Sequence, residues 1–122
     1  TTTKRMAQAA KKEDGVIPSY GQGKVARPCA VLLWSSLSSN AHQTAAQKKV
    51  GDRLTALKIR CEQLDGAQPE NKDLRNKLFN CSNVRGKYPQ VFIVNKKDEL
   101  KYIGMDDEID YLIDSEKFQE VM

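Results

Sequence analysis

A chain of 122 residues, 39% hydrophobic and 30% charged, is long enough for one domain with a real core and polar enough to stay in water. No apolar run approaches the roughly 20 residues that a membrane-spanning helix needs, and the opening residues lack the apolar centre of a secretory signal. Three cysteines (Cys29, Cys61, Cys81) without short spacing, and a single histidine, His42, speak against a disulfide framework and a zinc site and for a reducing, cytoplasmic setting.

The net charge of +4 sits at one end. Lys4, Arg5, Lys11, Lys12, Lys24 and Arg27 are opposed there only by Glu13 and Asp14, whereas the remainder is balanced and turns acidic from Asp98 onward. Gly15, Pro18, Gly21, Gly23 and Pro28 interrupt any regular period. Residues 1–28 are therefore expected to be a basic arm, extended or disordered, within which Lys4 to Lys12 can form a short helix; residues 29–122 form the domain. Such an arm suits an acidic partner, whether a protein surface, a nucleic acid or a membrane face, and equally suits a solvated tail.

The run Cys29 to Trp34 is continuously apolar, as a strand covered on both faces would be. It stops at a polar loop, Ser35-Ser36-Leu37-Ser38-Ser39-Asn40, whose Ser39 or Asn40 can cap the next helix. That helix is expected over Ala41 to Leu57, burying Ala41, Ala45, Ala46, Val50, Leu54 and Leu57. Lys58 to Leu64 reads as a second strand with Ile59 and Cys61 facing one way. After the loop Asp65-Gly66-Ala67-Gln68, Pro69 opens a helix that runs to about Phe79, placing Cys81 just beyond it. Tyr88 to Val94 is a third strand entered through Pro89, and Asn95-Lys96-Lys97-Asp98 turns it into a fourth, Glu99 to Ile103. Gly104 then breaks the chain, and Asp106, Asp107 and Glu108 open a last helix with Ile109, Leu112 and Ile113 buried.

The order β-α-β-α-β-β-α, with a helical crossover first and a hairpin last, implies an α/β fold of thioredoxin/glutaredoxin type: a mixed four-stranded sheet with three helices. Sites in such sheets lie at the carboxyl ends of the parallel strands, which here means the serine loop. Redox chemistry at that position needs a thiolate held by a helix N-terminus, and a serine hydroxyl titrates far too high to replace it. Ser39 and His42 are spaced to meet on a helix turn, but no orienting acid or oxyanion motif accompanies them. Trp34 can be a core-edge residue or an anchor for a partner.

Two segments carry a resemblance. Tyr88-Pro89-Gln90-Val91-Phe92-Ile93 resembles the glutaredoxin segment in which a cis-proline precedes a strand, and Ile103-Gly104-Met105-Asp106-Asp107 resembles the turn that opens the last helix there. The serine loop, Ala56-Leu57-Lys58-Ile59 and Asp65 through Glu70-Asn71 look like the Src-homology-3-binding, glutamic-acid-rich-like family, glutaredoxin-type proteins without the catalytic Cys-x-x-Cys. The chain departs from that family in its basic arm and in having only Pro89 where a proline-rich segment would precede Gln90. The resemblance implies a non-enzymatic, cytoplasmic adaptor, associated with the cytoskeleton, with a vestigial loop at Ser35–Asn40; the added basic arm is expected, from its charge, to grip an acidic protein surface such as a microtubule. The resemblance also implies a groove of Trp34, Tyr88, Pro89, Met105 and Asp106 that serves a partner or glutathione. The alternatives are a glutathione-binding or one-cysteine redox protein using Cys81, and a nucleic-acid binder using the arm. No metal is expected, and no cofactor other than glutathione.

Overall fold

The computed structural model describes residues 16–17 and 26–121. Its elements are β1 (Val16–Ile17), β2 (Cys29–Trp34), α1 (Ala41–Ala56), β3 (Cys61–Asp65), a 3-10 turn (Pro69–Asn71), α2 (Lys72–Ser82), β4 (Gln90–Val94), β5 (Leu100–Gly104), α3 (Asp106–Asp114) and α4 (Phe118–Val121). The sheet order is β1-β5-β4-β2-β3; β2 and β3 run parallel, and the other pairs are antiparallel. The four expected strands are β2 to β5, in the thioredoxin/glutaredoxin-like arrangement. A fifth, β1, comes from the arm and pairs Val16 with Lys101 and Ile17 with Leu100.

Alternation along β2 divides the core into two layers. Cys29, Val31 and Leu33 point to the α2 side, where they meet Leu78, Phe79 and Phe92. Ala30 and Leu32 point to the other side, where Val50 and Leu54 of α1, Ile109 of α3 and Phe118 of α4 enclose them. Each fully buried Leu, Ile or Phe contributes about 1.5–3 kcal/mol, so these layers outweigh the surface ion pairs around them, worth up to about 1 kcal/mol each.

Several expected boundaries move, each for a local reason. The buried stripe of α1 is Ala46, Gln47, Val50 and Leu54, so Ala41 and Ala45 fall off it and are exposed. Leu57 is also exposed, because α1 stops at Ala56 and Lys58 turns the chain away in a left-handed conformation. The same turn delays β3 to Cys61. α2 runs on to Ser82, where Asn83 closes it in a left-handed cap with its N–H on Phe79 O. Cys81 is therefore a buried residue of the helix, not of the loop after it. β4 and β5 begin at Gln90 and Leu100, later than expected. The short helix α4, which buries Phe118, was not foreseen; four residues are too few for a periodic signal.

Candidate functional site

Strand directions gather the expected site at one end of the sheet. With β2 parallel to β3 and antiparallel to β4, and β4 antiparallel to β5, the exits of β2, β3 and β5 lie beside the entry of β4. The serine loop, the Asp65–Gly66 loop, Tyr88–Pro89 and Met105–Asp106 thus meet there.

The serine loop is tied down by its own polar groups. Gln47, buried on α1, accepts the Ser35 N–H at 2.9 Å and donates to Ser35 O at 3.2 Å, extending β2 by a side-chain bridge. Ser35 Oγ accepts the Leu37 N–H, and Ser38 Oγ accepts the Asn40 N–H. Asn40, rather than Ser39, caps α1: its Oδ1 accepts the Gln43 N–H at 3.1 Å. Asp65 joins this loop to its neighbour, accepting the N–H groups of Ser36 (3.1 Å) and Ala67 (2.9 Å) on one oxygen and Gln68 Nε2 on the other. Partial burial works to raise the Asp65 pKa, but the hydrogen bonds from Ser36, Ala67 and Gln68 outweigh it and hold the carboxyl below its usual range. Leu37, at the loop tip, is 79% exposed. Ser39 and His42 are exposed.

Gln47 and Asp65 are the two residues that sequence reading missed. Gln47 had one available signal, its place between Ala46 and Val50 on the apolar face of a helix. Asp65 looked like any loop aspartate until the fold brought Ser36 to it.

The rest of the expected groove divides. Tyr88 leans on Phe79 with ring centroids 6.0 Å apart, and its hydroxyl fills the space left by Gly66, where an added Cβ would lie 3.0 Å from it. The Tyr88–Pro89 peptide is cis, as the resemblance implies, and Pro89 is buried. Gln90 fixes the approach to it by donating to the carbonyls of Val84 and Lys87. Trp34 turns the other way. It lines a cleft of about 320 Å³ between α1 and β3, with Leu32, Gly51 and Gln63, on the opposite side of the sheet from Tyr88. Trp34 and Tyr88 therefore do not share one groove.

The start of α3 is occupied by its own chain. Met105 is the cap residue and Asp106 the first helical one; Glu108 folds back to accept the Met105 N–H at 2.8 Å. Gly104, at φ +155°, makes room for that fold, since a Cβ there would stand 2.4 Å from Glu108 Cβ. A glutathione carboxylate fits this position poorly. The Met105 donor is filled, and Asp106, Asp107 and Glu108 repel a second anion.

The three thiols are scattered, and none lies in the serine loop or forms a Cys-x-x-Cys pair. Burial raises the pKa of Cys29, despite Arg27 beside it, and pushes Cys61 up to about 11. Cys81 directs its thiol to Leu100 O inside the α2 layer. Among the described residues no cluster of His, Cys, Asp and Glu could hold a metal ion, and no helix is long and apolar enough to cross a membrane.

Of the basic arm residues, Arg27 lies within the described part. Its guanidinium reaches Asp98 Oδ1 at 3.2 Å and contacts Cys29 Sγ, so it secures the arm's end to the β4–β5 turn. Lys4, Arg5, Lys11, Lys12 and Lys24 lie outside the described residues. No protein-family model and no curated protein matches this chain. What the molecule itself establishes is a thioredoxin/glutaredoxin-like α/β fold without the dithiol motif.

Proposed function

We propose that this chain is a non-enzymatic protein–protein interaction module, akin to the Src-homology-3-binding, glutamic-acid-rich-like proteins, whose basic arm grips an acidic surface. The observation that carries this reading is the loop at the end of β2. In place of a thiol it holds serines whose backbone N–H groups are bound to Gln47 and Asp65 and whose hydroxyls accept from the loop's own Leu37 and Asn40, and it offers solvent an apolar side chain, Leu37. A loop that lacks a thiol and spends its polar groups on its own chain suits contact with a protein better than turnover. The charge distribution supplies the second contact. With Arg27 engaged by Asp98, the other positive charges of the arm are Lys4, Arg5, Lys11, Lys12 and Lys24. An acidic cytoskeletal polymer such as a microtubule is the partner that this charge fits.

Co-sedimentation with microtubules tests it, using the full chain and the full-length variant Lys4→Glu/Arg5→Glu/Lys11→Glu/Lys12→Glu. Binding that weakens as salt rises, and is lost in the variant, is the expected result. Equal pelleting of both chains, or none at low salt, removes the proposal. Parallel titrations with glutathione and with a short duplex DNA address the two other readings. Saturable glutathione binding that perturbs Tyr88 and Met105 would favour the redox alternative using Cys81. Tighter binding of DNA than of microtubules would favour nucleic acid.

A further inference from the structure

The outer side of α3 carries a shallow groove of about 380 Å³ that the proposed function does not use. Its floor is Ile103 and Leu112, its rim is Asp107 and Glu108, and Tyr111, 61% exposed with Lys117 over its ring at 5.9 Å, stands at its mouth. Of the other three acids of this helix, Asp106 opens its first turn, and Asp110 and Asp114 are turned to α1, where Lys49 and Arg53 pair with them. Asp107 therefore gives this side a negative edge above an apolar floor. Such a surface fits a segment with basic ends and an apolar middle.

The chain has one, and the sheet delivers it. β1 is antiparallel to β5 with Val16 opposite Lys101 and Ile17 opposite Leu100. Because the pair is antiparallel, the chain enters β1 from the end of β5 that leads into α3. The nine residues Lys4 to Lys12 hold Lys4-Arg5 and Lys11-Lys12 at the ends, with Met6, Ala7, Ala9 and Ala10 between them. As a helix they would measure about 13 Å at 1.5 Å per residue, the length of the nine-residue α3. Met6, Ala9 and Ala10 would fall at i, i+3 and i+4, on one stripe.

We propose that the segment Lys4–Lys12 docks on the outer face of α3 of its own chain, its apolar stripe over Ile103, Leu112 and Tyr111 and its Lys11-Lys12 end against Asp107. The domain thus holds its own arm until a more acidic surface competes for it. This contact needs no external partner, so it stands or falls separately from the function proposed above.

The test is limited trypsin digestion of the purified full chain, following cleavage after Arg5, with a synthetic peptide of residues 1–15 as the unprotected standard. The chain is expected to be cut about tenfold more slowly than the peptide at low salt, and at the peptide's rate at high salt. Asp107→Lys, Tyr111→Ser and Lys12→Glu should each restore fast cleavage, and Asp107→Lys combined with Lys12→Glu should regain protection. Lys12→Glu lies in the arm and leaves the folded domain untouched, so it decides the matter even if an α3 variant misfolds. Cleavage of the full chain at the peptide's rate at low salt overturns the proposal. So does protection that survives these substitutions, or that grows with protein concentration, which would place the arm on a second copy.

Discussion

The two sides of the sheet are closed by different forces. On the α2 side the rim is aromatic: Phe79 packs against Tyr88, Phe92 against Tyr102 at 5.3 Å, and the guanidinium groups of Arg75 and Arg85 lie over the Phe79 ring at 5.8 and 5.6 Å. On the α1/α3 side the rim is ionic, with Lys49 and Arg53 of α1 bridging to Asp110 and Asp114 of α3. Aromatic closure depends on burial and geometry and is nearly blind to salt and pH. Ionic closure weakens as salt rises and as pH falls through the carboxylate range. The end of the sheet where the candidate loops meet draws on both sides. Gln47 reaches it from α1, and Tyr88 reaches it from the α2 layer.

Substitutions can break this contrast. The largest effect is expected from Phe92→Ala, which empties the centre of the aromatic side and should cost about 3–5 kcal/mol in denaturant unfolding. That loss should be the same at low and high salt; a loss that shrank with salt would show that the α2 side is also held by charge. Gly104→Ala comes next, at about 2–3 kcal/mol, because the new Cβ collides with Glu108 and dislodges its hydrogen bond to Met105. Gly51→Ala is the control: its Cβ meets only ordinary contacts at 3.7 Å and beyond, so it should be neutral or stabilising.

Gln47→Ala sharpens the comparison at the candidate loop. It leaves the Ser35 N–H and C=O without their partner and should cost about 1–3 kcal/mol. Hydrogen exchange should speed up at Ser35 through Leu37 while α2 amides stay protected. Unchanged exchange at Ser35 would mean that the serines hold the loop unaided.

The smallest loss is expected from Asp110→Asn, below about 1 kcal/mol because the pair is at the surface. Its signature is the pH dependence. The hydrogen bond from Lys49, and then that from Arg53, hold the Asp110 carboxyl below its ordinary range against the opposing effect of burial. A depressed folded pKa gives stability that is present above the unfolded value, near 4, and lost as pH falls through the lower folded value. The thermal midpoint of the unsubstituted chain should therefore drop more steeply below about pH 4 than that of Asp110→Asn. Parallel curves would remove Asp110 from the acid response.

Much of this fold was legible because it is written in local periods. Cys29 to Trp34 announces a strand covered on two faces by being apolar without a break. Val50 and Leu54 mark a helix face, and Asn95 to Asp98 a hairpin. The resemblance of Tyr88-Pro89 and Gly104-Met105-Asp106 to glutaredoxin segments placed them at one end of the sheet, and the strand directions agree. Less legible were features that depend on where an element stops or on what faces it. Leu57 matches the period of α1 but follows its last turn. Cys81 looked like a loop residue because the helix signal fades after Phe79, whereas Asn83 carries the actual stop. Trp34 and Tyr88 both lie at the end of the sheet that carries the serine loop, but the pleat of β2 sends Trp34 to the α1 side while Tyr88 packs on Phe79 in the α2 layer.

The strand and helix order, the absence of a dithiol at the end of β2 and the concentration of positive charge before Pro28 can be read from the residues alone, because composition and short-range spacing suffice for each. Only the tertiary structure decided that Gln47 and Asp65 hold the serine loop, that Glu108 fills the start of α3 and that Arg27 is bound to Asp98. Hydrogen bonds and ion pairs form between groups brought within about 3 Å of each other, and for residues as far apart as Arg27 and Asp98 that proximity exists only once the sheet has set its register.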